Sequence, residues 1–283
     1  MNNLYMAPVC EMKSFSNLFI EMTAKNCNQR CKHCYIDFPI TKNVKDFIPV
    51  DLVKKALNDT TRENLECIYL VGAEPMTHPD FNSILRLCLK RSNVCIFTNG
   101  SFINEKKARF LKKLEDESDY EIIFQLSLNH YEELKNDDVR SRGSFRQVIN
   151  AAKSLIKYGF NPIFCVTDSY HEGEQKLLEG LKLLCTKFGL NFKPANFRIN
   201  NLIGSSNSDN IDFNCGWKSL DCEYGRVVTT KGIYVCPLLA NDHRGRSGCD
   251  FTDFSRKNSL ETDYCVDCIR NKNAFFSIDY SKF

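Results

Sequence analysis

Apolar residues return along this chain with two different periods. Short apolar runs rich in β-branched and aromatic residues lie at 18–23, 67–71, 94–97, 122–126, 163–167 and roughly 191–198, and they predict buried strands. Between them apolar positions recur every three or four residues, which predicts amphipathic helices. Leu52, Val53, Ala56 and Leu57 share one face near 49–61, with Pro49 suited to the entry. Phe81, Ile84, Leu85 and Cys88 mark a second helix, and Ala108, Leu111 and Leu114 a third, with Asn104 as its N-cap. Ser144 and Gln147 form an S-x-x-Q capping box ahead of Phe145, Val148, Ile149, Ala152, Leu155 and Ile156, and Gly159 closes that helix. A fifth helix spans about 172–188, with Leu177, Leu181 and Leu184 inward and Gly189 as its stop. Strand and helix alternate six times in this region. That order predicts an α/β fold of parallel strands joined by right-handed crossovers.

Such units curl into a partial (β/α)6 TIM-like barrel, whose chemistry collects in loops at the C-terminal ends of the strands. Past Asn200 the alternation stops. Residues 204–212 are rich in Ser, Asn and Asp and read as a linker. The tail beyond holds six cysteines in about seventy residues with little helical period, so it needs a staple other than an apolar core. Within it, 226–230 and 233–236 read as a β-hairpin turning at Lys231-Gly232, with Cys222 and Cys236 at its outer ends. A Cys265-Val266-Asp267-Cys268 pair follows. The expected organisation is a lead-in segment at 1–17, the partial barrel at 18–203 and a small cysteine-rich β-hairpin domain at 204–283.

Composition narrows the setting. The chain is 43% hydrophobic and 26% charged, an ordinary globular balance. A formal charge of +3, with basic and acidic residues interleaved, does not make a nucleic-acid surface. No apolar window approaches 18 residues, and 1–15 lack the basic start and apolar core of a secretory signal. Fifteen cysteines without such a signal read as metal ligands and buried thiols in a reducing, cytoplasmic setting.

The chemistry is concentrated directly after the first predicted strand. Cys27, Cys31 and Cys34 stand in a C-x-x-x-C-x-x-C spacing, with His33 before the last. Three thiols hold a cubane iron–sulfur cluster by three of its irons and leave the fourth open, as catalytic metal sites keep one position open. A zinc knuckle would pair C-x-x-C with a distant second pair. The spacing resembles the signature of the radical S-adenosylmethionine (radical SAM) superfamily. The resemblance implies a [4Fe-4S] cluster on the three cysteines. It further implies that the amino and carboxylate groups of SAM cap the open iron, and that one electron releases a 5′-deoxyadenosyl radical.

Further motifs extend that resemblance. Gly72-Ala73-Glu74-Pro75 is similar to the family's G-G-E-P loop, which receives the SAM ammonium, but carries Ala73 in place of a glycine. That alanine demands a negative φ at its position. Thr98-Asn99-Gly100 is similar to the family's T-N-G near the adenosine. Ser127 lies in Ser127-Leu128-Asn129, where related chains carry Ser-Leu-Asp, so Asn129 can bond hydroxyls but cannot act as a base. Arg140 resembles the arginine that pairs with the SAM carboxylate. Val166 and Thr167 end the fifth strand, and Arg198, a possible anion holder, ends the sixth. The tail resembles the auxiliary-cluster module called twitch or, in a longer form, SPASM. It implies one auxiliary Fe-S cluster on Cys236, Cys265, Cys268 and either Cys215 or Cys222, while a structural zinc ribbon on the same thiols is the plainer alternative.

The reaction these features imply is oxidation of a polar small molecule or peptide, the auxiliary cluster accepting an electron. An external low-potential donor such as flavodoxin or ferredoxin supplies the first electron. An epimerase is the alternative, with Cys249, Cys215 or Cys165 returning a hydrogen atom, as is a maturase of ribosomal peptides. A zinc-stapled binding protein is the non-enzymatic reading. The remaining thiols, Cys10, Cys67, Cys88, Cys95 and Cys185, read as buried packing, which is also the default for Cys165.

Overall fold

The computed structural model of the chain describes residues 7–36, 46–201, 219–271 and 275–277. A short strand β1 (Val9–Glu11) precedes β2 (Asn17–Thr23), α1 (Val50–Asp59), β3 (Cys67–Gly72) and α2 (Phe81–Cys88). There follow β4 (Asn93–Thr98), α3 (Glu105–Asp116), β5 (Ile122–Leu128), α4 (Glu133–Val139) and α5 (Ser144–Lys157). Next come β6 (Ile163–Asp168), α6 (Glu174–Phe188), β7 (Phe197–Asn201), β8 (Gly225–Thr229) and β9 (Gly232–Tyr234). Last are β10 (Arg246–Asp250), β11 (Asp253–Phe254), β12 (Lys257–Ser259) and α7 (Asp263–Asn271). Among the described residues no helix is long and apolar enough to cross a membrane.

The six anticipated strands pair in parallel, in the order β2-β3-β4-β5-β6-β7. A seventh parallel strand comes from the tail: β8 pairs beside β2, Asn17 opposite Gly225 and Ile20 opposite Val228. The sheet then turns antiparallel through β9, β10 and β11 and does not close on itself. The hairpin at Lys231-Gly232 is present, Thr229 facing Gly232, so β8 belongs to both the hairpin and the barrel sheet. The lead-in is also tied to the tail, because β1 pairs with β12, Cys10 opposite Asn258.

Side-chain parity divides the sheet into two faces. Leu18, Ile20 and Met22, Ile68 and Leu70, Val94 and Ile96, Phe124 and Leu126 join the main core, which also holds the apolar stripes of the helices. The opposite parity places Phe19, Tyr69, Cys95 and Val227 in a separate cluster on the concave face, with Phe275 and Phe276 added from the chain's end. Phe19 and Tyr69 stack there with ring centroids 4.6 Å apart.

Three local expectations change. The capping box does not form: Gly143, at φ 82°, precedes α5, and Ser144 is its first residue. Asp137 takes over the cap, its carboxylate accepting from the Phe145 N–H at 2.8 Å and the Gly143 N–H at 2.5 Å. The last strand starts at Phe197 rather than near 191, because Pro194 opens a 3-10 turn. The tail contains a helix after all, and α7 carries both Cys265 and Cys268. The linker assigned to 204–212 lies outside the described residues.

Candidate active site

The loop after β2 is pinned at both ends. Asn26 N–H donates to Thr23 Oγ1 at 3.0 Å, and Lys32 N–H donates to the Val139 carbonyl at 2.8 Å. Cys27, Cys31 and Cys34 line one cavity of about 200 Å³ at the C-terminal ends of the parallel strands. The walls include Gly72, Ala73 and Glu74 after β3, Thr98 and Asn99 after β4, and Ser127, Cys165 and Arg140. Val166 does not join them. It sits one residue out of phase, fully buried in the main core, while its neighbours Cys165 and Thr167 face the cavity. Arg198 is not in the wall; its guanidinium donates to the Ser277 carbonyl at 3.0 Å.

Gly72 carries the strain that makes the third loop possible. Its φ is 113°, and a Cβ there would stand 2.3 Å from the Thr23 carbonyl oxygen. Ala73 needs no such freedom, since His171 is the one non-glycine residue with positive φ among those described. Glu74 is 1% exposed and joins two loops. Its Oε1 accepts from Thr98 Oγ1 at 2.8 Å and Met76 N–H at 3.1 Å, and its Oε2 from Asn99 N–H at 2.8 Å. Burial raises its pKa, against the pull of those donors. Asn99 Nδ2 then reaches Asn28 Oδ1 at 2.9 Å and Cys27 Sγ at 3.8 Å.

On the opposite wall Arg140 is buried. It donates from Nη1 to Asn129 Oδ1 at 2.9 Å and from Nε to Gln29 Oε1 at 3.3 Å. Asn129 thereby orients the arginine rather than acting on hydroxyls from solvent. Desolvation, with Arg140 nearby, holds His33 down at about 4, so its ring is neutral. Burial pushes the Cys27 thiol up to about 11 and raises Cys34 as well. Binding a cationic iron–sulfur core would displace those protons.

As a donor set, three thiols in one wall suit a cluster that leaves one corner to another ligand. Three thiols share the wall, and His33 Nδ1 is buried there without a partner. Among the described residues no three His, Cys, Asp or Glu side chains converge as ligands of a single ion. Several wall residues were not read from the sequence: Gln29, Tyr35, Leu238, Phe275 and Phe276. The first two flank the cysteines and had a positional signal; the last three come from distant segments and had none.

The tail thiols meet in a second place. Cys222, Cys236, Cys265 and Cys268 line a narrow apolar cavity with Leu220, Val235, Leu239 and Leu260. Leu238 belongs to the walls of both cavities. Arg226, fully buried, donates from Nη1 to the Cys222 and Gly225 carbonyls at 2.7 and 2.8 Å. Its desolvation lowers it to about 10. The donor set of four thiols in an apolar wall fits a metal cluster chemically. The space, about 20 Å³, admits one only if those side chains spread. Cys249 lies elsewhere, exposed on β10 in a surface cleft with Lys55 and Asp59. Cys215 lies outside the described residues.

Residues 23–175 match the profile of the Radical SAM superfamily. The chain belongs to that superfamily, whose members use a [4Fe-4S] cluster and SAM. Solved structures agree on the fold. The chain aligns with anSMEcpe with bound AdoMet at TM-score 0.64 and 15% identity, covering 91% of this chain and 78% of that one. It aligns with Streptococcus suis SuiB bound to S-adenosylmethionine at TM-score 0.63 and 14% identity, over 85% of this chain and 64% of that one. With SuiB bound to precursor peptide SuiA the TM-score is 0.53 at 18% identity, over 68% of this chain and 40% of that one. A comparison with curated proteins finds no match.

Proposed function

We propose that this enzyme oxidises a polar small molecule or a peptide by hydrogen-atom abstraction, and that the tail holds an auxiliary Fe-S cluster that takes up an electron. The supporting observation is that the tail builds part of the active cavity: Leu238, Phe275 and Phe276 stand in one wall with the N-terminal thiols. Bound on Cys27, Cys31 and Cys34, the cluster would supply the electron that cleaves SAM to methionine and a 5′-deoxyadenosyl radical. The chain's own residues hold the cofactor and exclude water. Glu74 fixes the relative positions of the loops after β3 and β4, leaving Asn99 and the Gly72–Ala73 backbone to meet the cofactor's polar groups. Arg140, held by Asn129 and Gln29, offers its charge to the SAM carboxylate, with Ser127 beside it. Phe97, Phe275 and Phe276 supply an apolar wall that has no hydrogen-bond partner for water.

A wider groove shares Tyr35, Ile36 and Leu238 with the cavity and carries Lys25, Lys231 and Arg244. It offers an extended substrate a path to the site, which favours a peptide, as does the likeness to SuiB with its precursor peptide and to anSMEcpe with the Cp18Cys peptide. An external low-potential donor, flavodoxin or ferredoxin, supplies the electrons.

The test is anaerobic reconstitution with iron, sulfide, SAM and dithionite. We expect 5′-deoxyadenosine, lost in the Cys27/Cys31/Cys34→Ala variant, and two clusters per chain by iron and sulfide analysis. Persistence of cleavage in the triple variant refutes the site, and one cluster per chain refutes the auxiliary role.

Epimerisation has one observation in its favour. Cys165 lines the cavity, donates to Gln125 Oε1 at 2.8 Å, and is pushed up to about 11 by burial, against the pull of Arg198 and Arg140. It therefore keeps its S–H, as a hydrogen-atom donor must. With a processed substrate in heavy water, single deuterium incorporation that Cys165→Ala abolishes would establish this reading. A product two hydrogens lighter establishes oxidation.

A further inference from the structure

The β1–β12 ladder brings two polar groups to the tail thiols, Cys10 from the lead-in and Asn258 from the tail. Cys10 is 2% exposed, and its Sγ lies 3.5 Å from Cys222 Sγ. Asn258, its partner in the β1–β12 ladder, lines the cavity beside Cys222, Cys236 and Cys265. Asn258 is 9% exposed, and neither its Nδ2 nor its Oδ1 has a hydrogen-bond partner. A buried amide with both polar atoms unmet is costly unless something answers it. The wall's other polar side chains, Asp221 and Tyr264, make no bond to this amide, and Asp221 is taken up by the N–H groups of 275–277, so a group held in the cavity is left to answer it.

We propose that Cys10 and Asn258 complete the auxiliary site from outside its ligand set: the Cys222 thiol, which donates to Cys10 in the structure, gives up its proton on ligation, so that the Cys10 S–H donates back to the Cys222 thiolate, and the Asn258 amide donates to a sulfur of the bound cluster. Both are positioning residues for the metal group's electronics. Hydrogen bonds to cluster sulfurs stabilise the more negative, reduced state and so raise the reduction potential. Two such donors, with buried Arg226 already holding the Cys222 carbonyl, would bias this cluster toward accepting an electron. The inference rests on the tail binding a cluster as proposed above.

The full chain with Cys27, Cys31 and Cys34 replaced by alanine isolates the tail cluster. Iron, sulfide and a potentiometric EPR titration are then read for that background and for added Cys10→Ala, Cys10→Ser and Asn258→Leu changes. We expect four irons per chain throughout, a shift to more negative potential with Cys10→Ala and Asn258→Leu, and recovery with Cys10→Ser, whose hydroxyl still donates. An unmoved potential with the cluster intact overturns the proposal. Loss of iron in Cys10→Ala also overturns it, because Cys10 is then a ligand. A background protein that binds no cluster refutes the reading of the tail instead, so the two failures are distinct. Should Asn258→Leu fail to fold, the Cys10 pair alone decides.

Discussion

Replacing Glu74 by glutamine tests whether this carboxylate is the clamp between two cofactor loops. Both oxygens accept: Oε1 from Thr98 Oγ1 and Met76 N–H, Oε2 from Asn99 N–H. Glutamine turns one oxygen into an NH2 group. Whichever way the amide is placed, that NH2 meets a buried backbone N–H, of Met76 or of Asn99. One charge-assisted hydrogen bond is lost, about 1.5–3 kcal/mol, and one buried N–H goes unsatisfied, about 1–3 kcal/mol. The sum is about 2.5–6 kcal/mol, because the side chain is 1% exposed and has no solvent to fall back on. In urea, with a slope of about 3 kcal/mol per M, the midpoint of the apoprotein should fall by about 0.8–2 M. Thr98→Val removes one donor without creating an opposed pair and should cost about 1 kcal/mol. SAM affinity should weaken more in Glu74→Gln than in Thr98→Val. A midpoint change under about 0.3 M in Glu74→Gln would refute the clamp, since one lost hydrogen bond alone predicts more.

Other consequences follow from single residues. Burial, then Asp46, opposed by Lys231, raises Glu21 from the usual 4.5 to about 7. The folded chain therefore keeps a proton there that the unfolded chain releases. Its stabilisation is full below about pH 4.5 and is lost as pH rises through 7, about 3 kcal/mol in all, so Glu21→Gln should flatten apoprotein stability between pH 5 and 8; an unchanged slope contradicts this. Gly72→Ala should cost at least about 2 kcal/mol, from a φ of 113° and a Cβ placed 2.3 Å from the Thr23 carbonyl, and should abolish SAM cleavage. A wild-type melting temperature would be incompatible with that geometry. Asp221 accepts from the N–H groups of Phe275, Phe276 and Ser277 and from Ser277 Oγ, at 2.6–3.1 Å. Asp221→Asn opposes an NH2 to part of this set, so amide exchange at 275–277 should quicken by about 10-fold or more; unaltered exchange there means something else holds the floor of the cavity.

What could be read from the sequence, and what could not, divides by range of interaction. The strands that repeat with their helices were legible because each carries its own apolar period, and Asn104 caps α3 through a bond to Lys107 N–H three residues away. That the three thiols would share one wall was legible because they stand within eight residues of one another. The capping box failed for a reason spacing does not show: Asp137, seven residues before Ser144, offers an ionised acceptor where the serine offers a neutral one. Val166 was misjudged by one residue, because parity fixes the side chain while a motif fixes only position. At a strand end Cys165 and Thr167 must face the cavity if Val166 faces the helices.

Long-range joining explains the rest. Nothing within 225–229 says that it will lie parallel to 17–20, since a five-residue buried strand pairs equally well on either side. Once it does, the consequences are forced. The hairpin turn places Cys236 and Leu238 just after β9, and Leu238 reaches the wall of the cavity that holds Cys27, Cys31 and Cys34. β1, which lies only a few residues before β2, is left beside the tail and pairs with β12, so Cys10 arrives at Cys222. Leu238 then stands in both cavity walls. A single strand pairing thus brings two groups of thiols, far apart in sequence, to opposite sides of one leucine. That is the geometry an electron needs if it is to leave a substrate radical for a second cluster, and replacing Leu238 by a bulkier side chain would alter both cavities at once.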